Sequence, residues 1–378
     1  MLLPSLSYQE ARTLPGLRVV DVRSPAEYAE DHIPGADLVP LLDDAQRALV
    51  GTLFRQESAS AALAEGLNLV RDRIRRILYE VLGHSIPEAQ WQAKFDALVP
   101  LVEELEVQRQ SSGTNGSLGL ASGEPPILVQ CWRGGQRSRA LVALLRALGF
   151  EQVYHLHRGY KGYRAWVRTQ LEDLQFSAPW IILRGATGVG KTRLLQELEQ
   201  KCPGSTLDLE GLAGHRSSIL GGVGLKPVSQ KRFESLLVAR LQELDSAPGF
   251  VEGESRKIGD RLIPPVLFAA MEAGLSIRIT ASKARRVQNL LADYQGDAAT
   301  QQELRTKLPF LEARLGKKWT GKLVAMLDRG QAAEVAESLL EAYYDPLYGH
   351  SDQRRSWVGE FCAEDPAVTA DLLAFRLE

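Results

Sequence analysis

Residues 130–138 read QCWRGGQRS, placing Cys131 ahead of Arg133, the pair Gly134-Gly135, then Arg137 and Ser138. Four chemistries are open to a cysteine in this setting: buried hydrophobe, metal ligand, phosphatase nucleophile, or carrier of sulfur. The metal reading is weak, because Cys202 and Cys362 are solitary and no Cys-x-x-Cys or Cys/His pairing accompanies them. A second stretch with chemistry in it is GATGVGKT, residues 185–192. Gly185, Gly190, Lys191 and Thr192 fill the whole P-loop pattern, with Gly188 inside it. In such a loop the backbone amides close around a diphosphate, the lysine neutralises its oxygens, and the threonine hydroxyl is a candidate Mg²⁺ ligand. Further candidates for positioning a metal or substrate are Asp208, Glu210, His215 and Arg216, and then Glu252, Glu254 and Arg256.

These residues need elements to hold them. Ile127-Leu128-Val129 is a short apolar run after Pro125-Pro126 and reads as a buried strand. From Ser138 the chain shows leucines 141, 144, 145 and 148 at helical spacing, with Gly149 as a stop signal. Cys131 therefore belongs on a tight strand-to-helix turn, where loop amides, the helix dipole and two arginines favour an anion and a thiolate. Gly134, Gly135 and Ser138 complete that anion loop. Trp180 to Leu183 reads as the strand before the P-loop, and Arg193 to Leu198 as the start of the helix after it. A strand over 205–210 is expected to end in Asp208 and Glu210, and one over 249–254 in Glu252 and Glu254. Another begins at 275 and is followed by Lys283, Arg285 and Arg286. Strand C-termini line the crevice in which doubly wound sheets bind ligands.

A chain of 378 residues is long enough for two or more domains. Hydrophobic residues at 44% and charged ones at 24% are ordinary for a globular protein, and a net charge of −2 does not advertise a nucleic-acid partner. An RNA would have to be met by local patches. Arg71, Arg73, Arg75 and Arg76 form one such cluster, with a solvated face as the plain alternative. Lys283, Arg285 and Arg286 are a second candidate patch. The segment MLLPSLSYQEAR has no basic start or apolar stretch, so no signal peptide is expected, and no run of about 18 apolar residues exists. Three unpaired cysteines suit a reducing cytoplasm. The expected layout is a first domain over 1–175, with a helical insertion at about 42–110 and a flexible loop at about 111–126. A P-loop domain with a helical C-terminal part follows over 178–378.

Cys131 to Arg137 spans Cys-x5-Arg, which resembles the oxyanion loops of cysteine phosphatases and rhodaneses. VVDVRSPAEYAEDHIPGA (19–36) and VYHLHRGYKGYRAWV (153–167) are similar to the Asp-Val-Arg, His-Ile-Pro-Gly-Ala and last-strand signatures of rhodanese modules. Gln130 stands where tyrosine-phosphatase loops usually carry histidine. The loop is one residue longer than the Cys-x4-Arg of plain bacterial rhodaneses, which leaves room for a bulkier anion. Joined to a P-loop module carrying DLEGLAGHR (208–216) and VEGESRKIG (251–259), the whole resembles the tRNA 2-selenouridine synthase family over almost all of the chain. SSILGG after Arg216 departs from the Gly-Ser-Ser-Phe-Gly usual there.

The resemblance implies an α/β enzyme: a rhodanese-like domain with a helical insertion plus a P-loop NTPase-like, doubly wound parallel-sheet domain. It implies that the wobble 2-thiouridine of tRNA is S-geranylated from geranyl diphosphate, after which selenium from selenophosphate replaces the geranylthio group. Cys131 would carry selenium as a selenenyl-sulfide, with no tightly bound cofactor and with Mg²⁺ as a candidate ion. The residues by themselves leave two other functions open. One is a thiosulfate-type sulfurtransferase fused to an ATP-dependent kinase, and the other is a nucleotide-sensing RNA-binding module.

Overall fold

The computed structural model describes residues 3–98, 125–244, 249–348 and 355–374. The chain divides into two compact units, Met1–Gln170 and Leu171–Glu378.

The first unit is built on five parallel strands: β1 (Ser5–Leu6), β2 (Arg18–Asp21), β3 (Asp37–Leu38), β4 (Ile127–Gln130) and β5 (Val153–Leu156). Their order is β1-β5-β4-β2-β3, so β4 lies at the centre, with Val20 opposite Val129 and Leu128 opposite Tyr154. Every residue of β4 is buried, which is why its sequence is a continuous apolar run and not an alternation. Between β3 and β4 the chain forms helices Asp44–Gln56, Ala59–Val70, Ile74–Leu82 and Glu88–Asp96. Ile74, Ile77, Leu78 and Val81 make one buried stripe at helical spacing and join Leu141, Leu144 and Leu145 in the core. Residues 99–110 of the expected insertion lie outside the described residues, as does the loop expected over 111–126 apart from its two prolines.

The second unit holds β6 (Ile181–Arg184), β7 (Thr206–Leu207), β8 (Phe250–Glu252), a small antiparallel pair β9 (Lys257–Ile258) and β10 (Arg261–Leu262), β11 (Leu275–Thr280) and β12 (Gly359–Cys362). Its main sheet runs β12-β11-β6-β8-β7 with all neighbours parallel. The chain order departs to either side of β6, and at such a switch point the strand ends open a crevice. Helices Lys283–Tyr294, Ala298–Leu315, Lys322–Asp328 and Ala332–Leu339 follow, then a single π-helical stretch, Leu340–Tyr344. They share a separate apolar core around Leu304, Leu308, Leu311, Leu323 and Leu340. Among the described residues, no helix is long and apolar enough to cross a membrane.

Three boundaries differ from the sequence expectation. The strand expected to reach Glu210 stops at Leu207, because the Asp208 carboxylate accepts the Gly211 N–H at 2.7 Å and caps a helix over Leu209–Ala213. Glu252 closes β8, leaving Glu254 in the loop beyond. The helix after Cys131 starts two residues before Ser138, at Gln136, with Gly135 as its cap.

Candidate active sites

Cys131 directly follows β4 and is buried at 3% exposure. Its Sγ lies 3.2 Å from the Ser138 hydroxyl, which reaches it from the first turn of the Gln136–Ala147 helix. Gly134 takes φ +64°, a left-handed conformation that glycine adopts without strain. Arg137 points its guanidinium at Glu27, with Nη1 donating to Oε2 at 2.9 Å. Burial works against the Arg137 charge, but the Glu27 hydrogen bond and the negative charges at Cys131, Glu27 and Asp21 outweigh it and hold its pKa above the ordinary value. Burial likewise resists the Glu27 charge. Arg137, the Ser24 amide and Arg47 prevail and keep its carboxyl below the usual range. Arg133 is exposed, so the two arginines expected together around the loop are unequal: one is fixed by Glu27 and the other is solvated.

Behind this loop lies a buried polar scaffold. Asp21 and Arg23 pair at 2.6 Å with both side chains at 0% exposure. Arg23 also donates to the Asp31 carbonyl and sits 4.0 Å from the centroid of the Tyr160 ring, whose hydroxyl donates to Asp31 at 2.8 Å. Burial and the Asp31 charge push the Tyr160 pKa far up, so the phenol remains a donor. Tyr160 in turn donates its amide to the Cys131 carbonyl at 2.8 Å, and Lys161 donates its own to Trp132 at 3.1 Å. The Asp-Val-Arg and Arg-Gly-Tyr-Lys-Gly stretches thus hold the cysteine loop from two sides.

The second site opens where β6 ends. A Cβ at Gly185 would meet the Ile279 carbonyl at 2.3 Å, so the loop can pass β11 only as glycine. Gly188 and Gly190 take φ +80° and +93°, and Gly190 caps the Lys191–Lys201 helix. Lys191 Nζ reaches back to the Gly185 carbonyl at 3.0 Å. Asn289, buried at 1%, donates to the Gly188 carbonyl at 2.8 Å and accepts from Arg193 at 2.7 Å. Arg286 donates to the Thr187 carbonyl at 2.9 Å and pairs with Asp345 at 2.5 Å. The loop opens on a polar cavity of about 630 Å³ lined by Lys191, Thr192, Asp208, Glu210, Arg216 and Glu254. Ser217 belongs to the same wall at φ +44°, a conformation uncommon outside glycine.

The acids here are strongly perturbed. Burial, followed by the charges of Asp208 and Glu210, pushes Glu252 well above the carboxylate range. Its Oε1 accepts the Glu210 amide at 2.8 Å. Burial and the Glu254 charge push Glu210 up to about 8, against the pull of Lys191. Asp208 is raised too, by burial. Buried carboxylates this close together cannot all stay ionised without a cation or donor among them.

Several expected site residues lie elsewhere. His215 is absent from the cavity wall and packs against Gly221 and Gly259, where a Cβ would come within 2.6 and 2.8 Å of its ring. Burial, then Arg261 and Lys307, lower its pKa and favour the neutral ring. Arg256 is exposed and outside that wall. Several residues of the two candidate RNA patches have partners within the chain. Arg73 donates to the Leu41 carbonyl and to Gln46, while Arg286 braces the P-loop, because each guanidinium meets nearby acceptors as it is partly buried. Arg71 pairs with Asp96, Arg76 with Glu80, and Lys283 with Glu337 and Glu341. Arg285 is half-buried, and Arg75 remains exposed.

A parallel sheet that delivers Gly-x4-Gly-Lys-Thr from its switch-point strand into a helix defines a P-loop protein, here joined to a second α/β unit that carries a cysteine at the matching position. The profile for the AAA domain of tRNA 2-selenouridine synthase matches residues 178–372. A curated tRNA 2-selenouridine synthase from Cupriavidus necator is 30% identical, with 94% of each chain covered, and one from Nitrosomonas europaea is 28% identical over 89% of each. The chain belongs to the tRNA 2-selenouridine synthase family.

Proposed function

We propose that this enzyme converts the wobble 2-thiouridine of tRNA to 2-selenouridine in the cytoplasm, using its two anion loops for two successive steps. The observation that carries the reading is the pairing of a thiol-bearing loop in one unit with a thiol-free diphosphate loop in the other. In the first step the thiocarbonyl sulfur attacks C1 of geranyl diphosphate. The C–O bond breaks, diphosphate leaves with the electron pair, and the N3 proton of the base is released. Stabilising a departing diphosphate is an electrostatic task, suited to loop amides and Lys191. Thr192 and the neighbouring carboxylates are hard oxygen donors of the kind Mg²⁺ takes, and the crowding that raises the acids is relieved by a cation. The groups that would hold such an ion are Thr192, Asp208, Glu210 and Glu254 of the cavity wall. Bound there, it would supply further neutralisation of the leaving group.

In the second step selenium displaces geranylthiolate from C2. Storage on Cys131 as a selenenyl-sulfide would require the selenium of selenophosphate to be oxidised and then reduced again. Attack of the Cys131 thiolate on phosphorus balances without an outside oxidant: the P–Se bond breaks, selenide leaves with the electron pair, and water later hydrolyses the S-phosphocysteine to phosphate. The Ser138 hydroxyl at 3.2 Å and Arg137 suit that role, and the first unit is read as a rhodanese-like module adapted to a tetrahedral anion. The test is nucleoside mass spectrometry of thiolated tRNA incubated with the enzyme, geranyl diphosphate and selenophosphate. S-geranyl-2-thiouridine followed by 2-selenouridine is expected. Preference for ATP over geranyl diphosphate, with phosphate release and no nucleoside change, would overturn the assignment.

A further inference from the structure

The polar cavity at the P-loop does not end in solvent alone. A second cavity of about 350 Å³ lies among the C-terminal helices and shares Leu290, Tyr294 and Tyr344 with it. The residues that belong only to this second space include Leu304, Leu308, Ala336 and Leu339, all buried. Its volume falls within the range of small-molecule sites, roughly 300–1,000 Å³. Most of its lining is apolar, so a hydrocarbon seated there would be removed from water. The wall between the two spaces is irregular: Tyr344 ends the π-helical stretch Leu340–Tyr344, and such stretches occur most often at functional positions. An anion cradle that shares an aromatic wall with an apolar cavity matches one kind of ligand, a diphosphate ester with a hydrocarbon tail.

We propose that this second cavity is the prenyl-tail pocket of the P-loop site, and that Leu304, Leu308, Ala336 and Leu339 set the length of chain the enzyme accepts. The proposal rests on the assignment of geranyl diphosphate to the P-loop and adds where its tail goes. Each buried methylene tightens binding about fourfold, so one five-carbon unit seated in the pocket is worth up to about a thousandfold.

The experiment is calorimetric titration of the full chain with inorganic diphosphate and with dimethylallyl, geranyl and farnesyl diphosphates. Wild type should bind the geranyl compound at least tenfold more tightly than the dimethylallyl one. Ala336→Phe fills the pocket and should weaken geranyl diphosphate at least tenfold while leaving inorganic diphosphate unchanged. Leu304→Ala enlarges it and should improve farnesyl relative to geranyl diphosphate, which guards against a misfolded filled variant. If both variants keep the wild-type order of chain lengths, the tail lies elsewhere and the pocket assignment fails, with the P-loop reading intact. If wild type binds inorganic diphosphate as tightly as any prenyl ester, the pocket assignment fails as well, whereas if it binds neither, the P-loop reading itself fails.

Discussion

The Cys131 loop and the P-loop solve the same geometric problem in opposite electrostatic ways. Both are strand-to-helix turns at the C-terminal end of an internal parallel strand. Around Cys131 the charges are matched in advance: Arg23 with Asp21, Arg137 with Glu27, Arg164 with Asp31. Around Lys191 three buried acids crowd together and are pushed toward their protonated forms. A loop that forms a covalent bond needs its nucleophile fixed within a satisfied scaffold, since reactivity comes from the sulfur. A loop that handles a leaving group works by charge, and leaves charge to be completed by what binds.

The sharpest way to break this comparison is to remove one chemistry at a time. Cys131→Ala should eliminate 2-selenouridine while geranylation continues, so that S-geranyl-2-thiouridine accumulates in digested tRNA. Lys191→Ala should block the earlier step, lowering geranyl transfer by roughly 100–1,000-fold with tRNA binding close to wild type, the scale of losing one preorganised charge donor, while tRNA that is already S-geranylated still gains selenium. Loss of geranylation in Cys131→Ala, or of selenium incorporation into pre-geranylated tRNA in Lys191→Ala, would mean that the loops are not separable.

A smaller effect belongs to Glu27, which fixes Arg137. Hydrogen bonds to charged groups contribute about 1.5–3 kcal/mol, so Glu27→Gln should slow selenium incorporation roughly 10- to 100-fold. Geranylation should be untouched. Glu27→Asp should restore part of the rate if position is what matters, and a uniform fall in both steps would point to simple destabilisation.

The two units should also answer pH with opposite sign. Glu27 has a lowered pKa, so its contribution to stability is present above the ordinary value of 4.5 and is lost as pH falls through the folded pKa. Glu210, raised from 4.5 to about 8, gives stability that is full at low pH and is lost as pH climbs across that window. Thermal unfolding followed from pH 4 to about 9 should show the alkaline loss diminished in Glu210→Gln and the acid loss diminished in Glu27→Gln. The smallest effect expected is at Arg75. Reversing this exposed charge should lower the salt slope of tRNA binding by about one unit if it meets a phosphate, and not at all if it is a solvated face.

The chemistry was legible where it is contiguous. QCWRGGQRS and GATGVGKT each carry strand end, turn and helix start within a dozen residues, so their type and setting could be read directly. Their supports could not be read in this way. Glu27 lies 110 residues before Arg137, and Asn289 lies 101 residues after Gly188, and no local pattern links such partners. The Ser-x-x-Glu signature at Ser24 did announce a helix start, but not the second use of its glutamate. Arg76 is a different case. Glu80 stands one turn ahead of it, so their exposed ion pair was visible in the sequence. The end of β7 was misplaced because Asp208 was weighed as chemistry and not also as a cap.

One feature of the first unit limits how this enzyme can be re-engineered. A Cβ on Gly159 would lie 2.3 Å from both the Cys131 carbonyl and the Gly134 amide, and one on Gly134 would lie 2.7 Å from the Leu156 carbonyl. The thiol turn and the turn after β5 therefore interlock with no slack between them. Transplanting residues 131–138 into another parallel sheet would carry the nucleophile without its counterpart, and a library that varies either turn alone samples mostly collisions. The inheritable unit of this catalyst is a pair of turns about 25 residues apart, and directed evolution of its donor specificity has to vary both together.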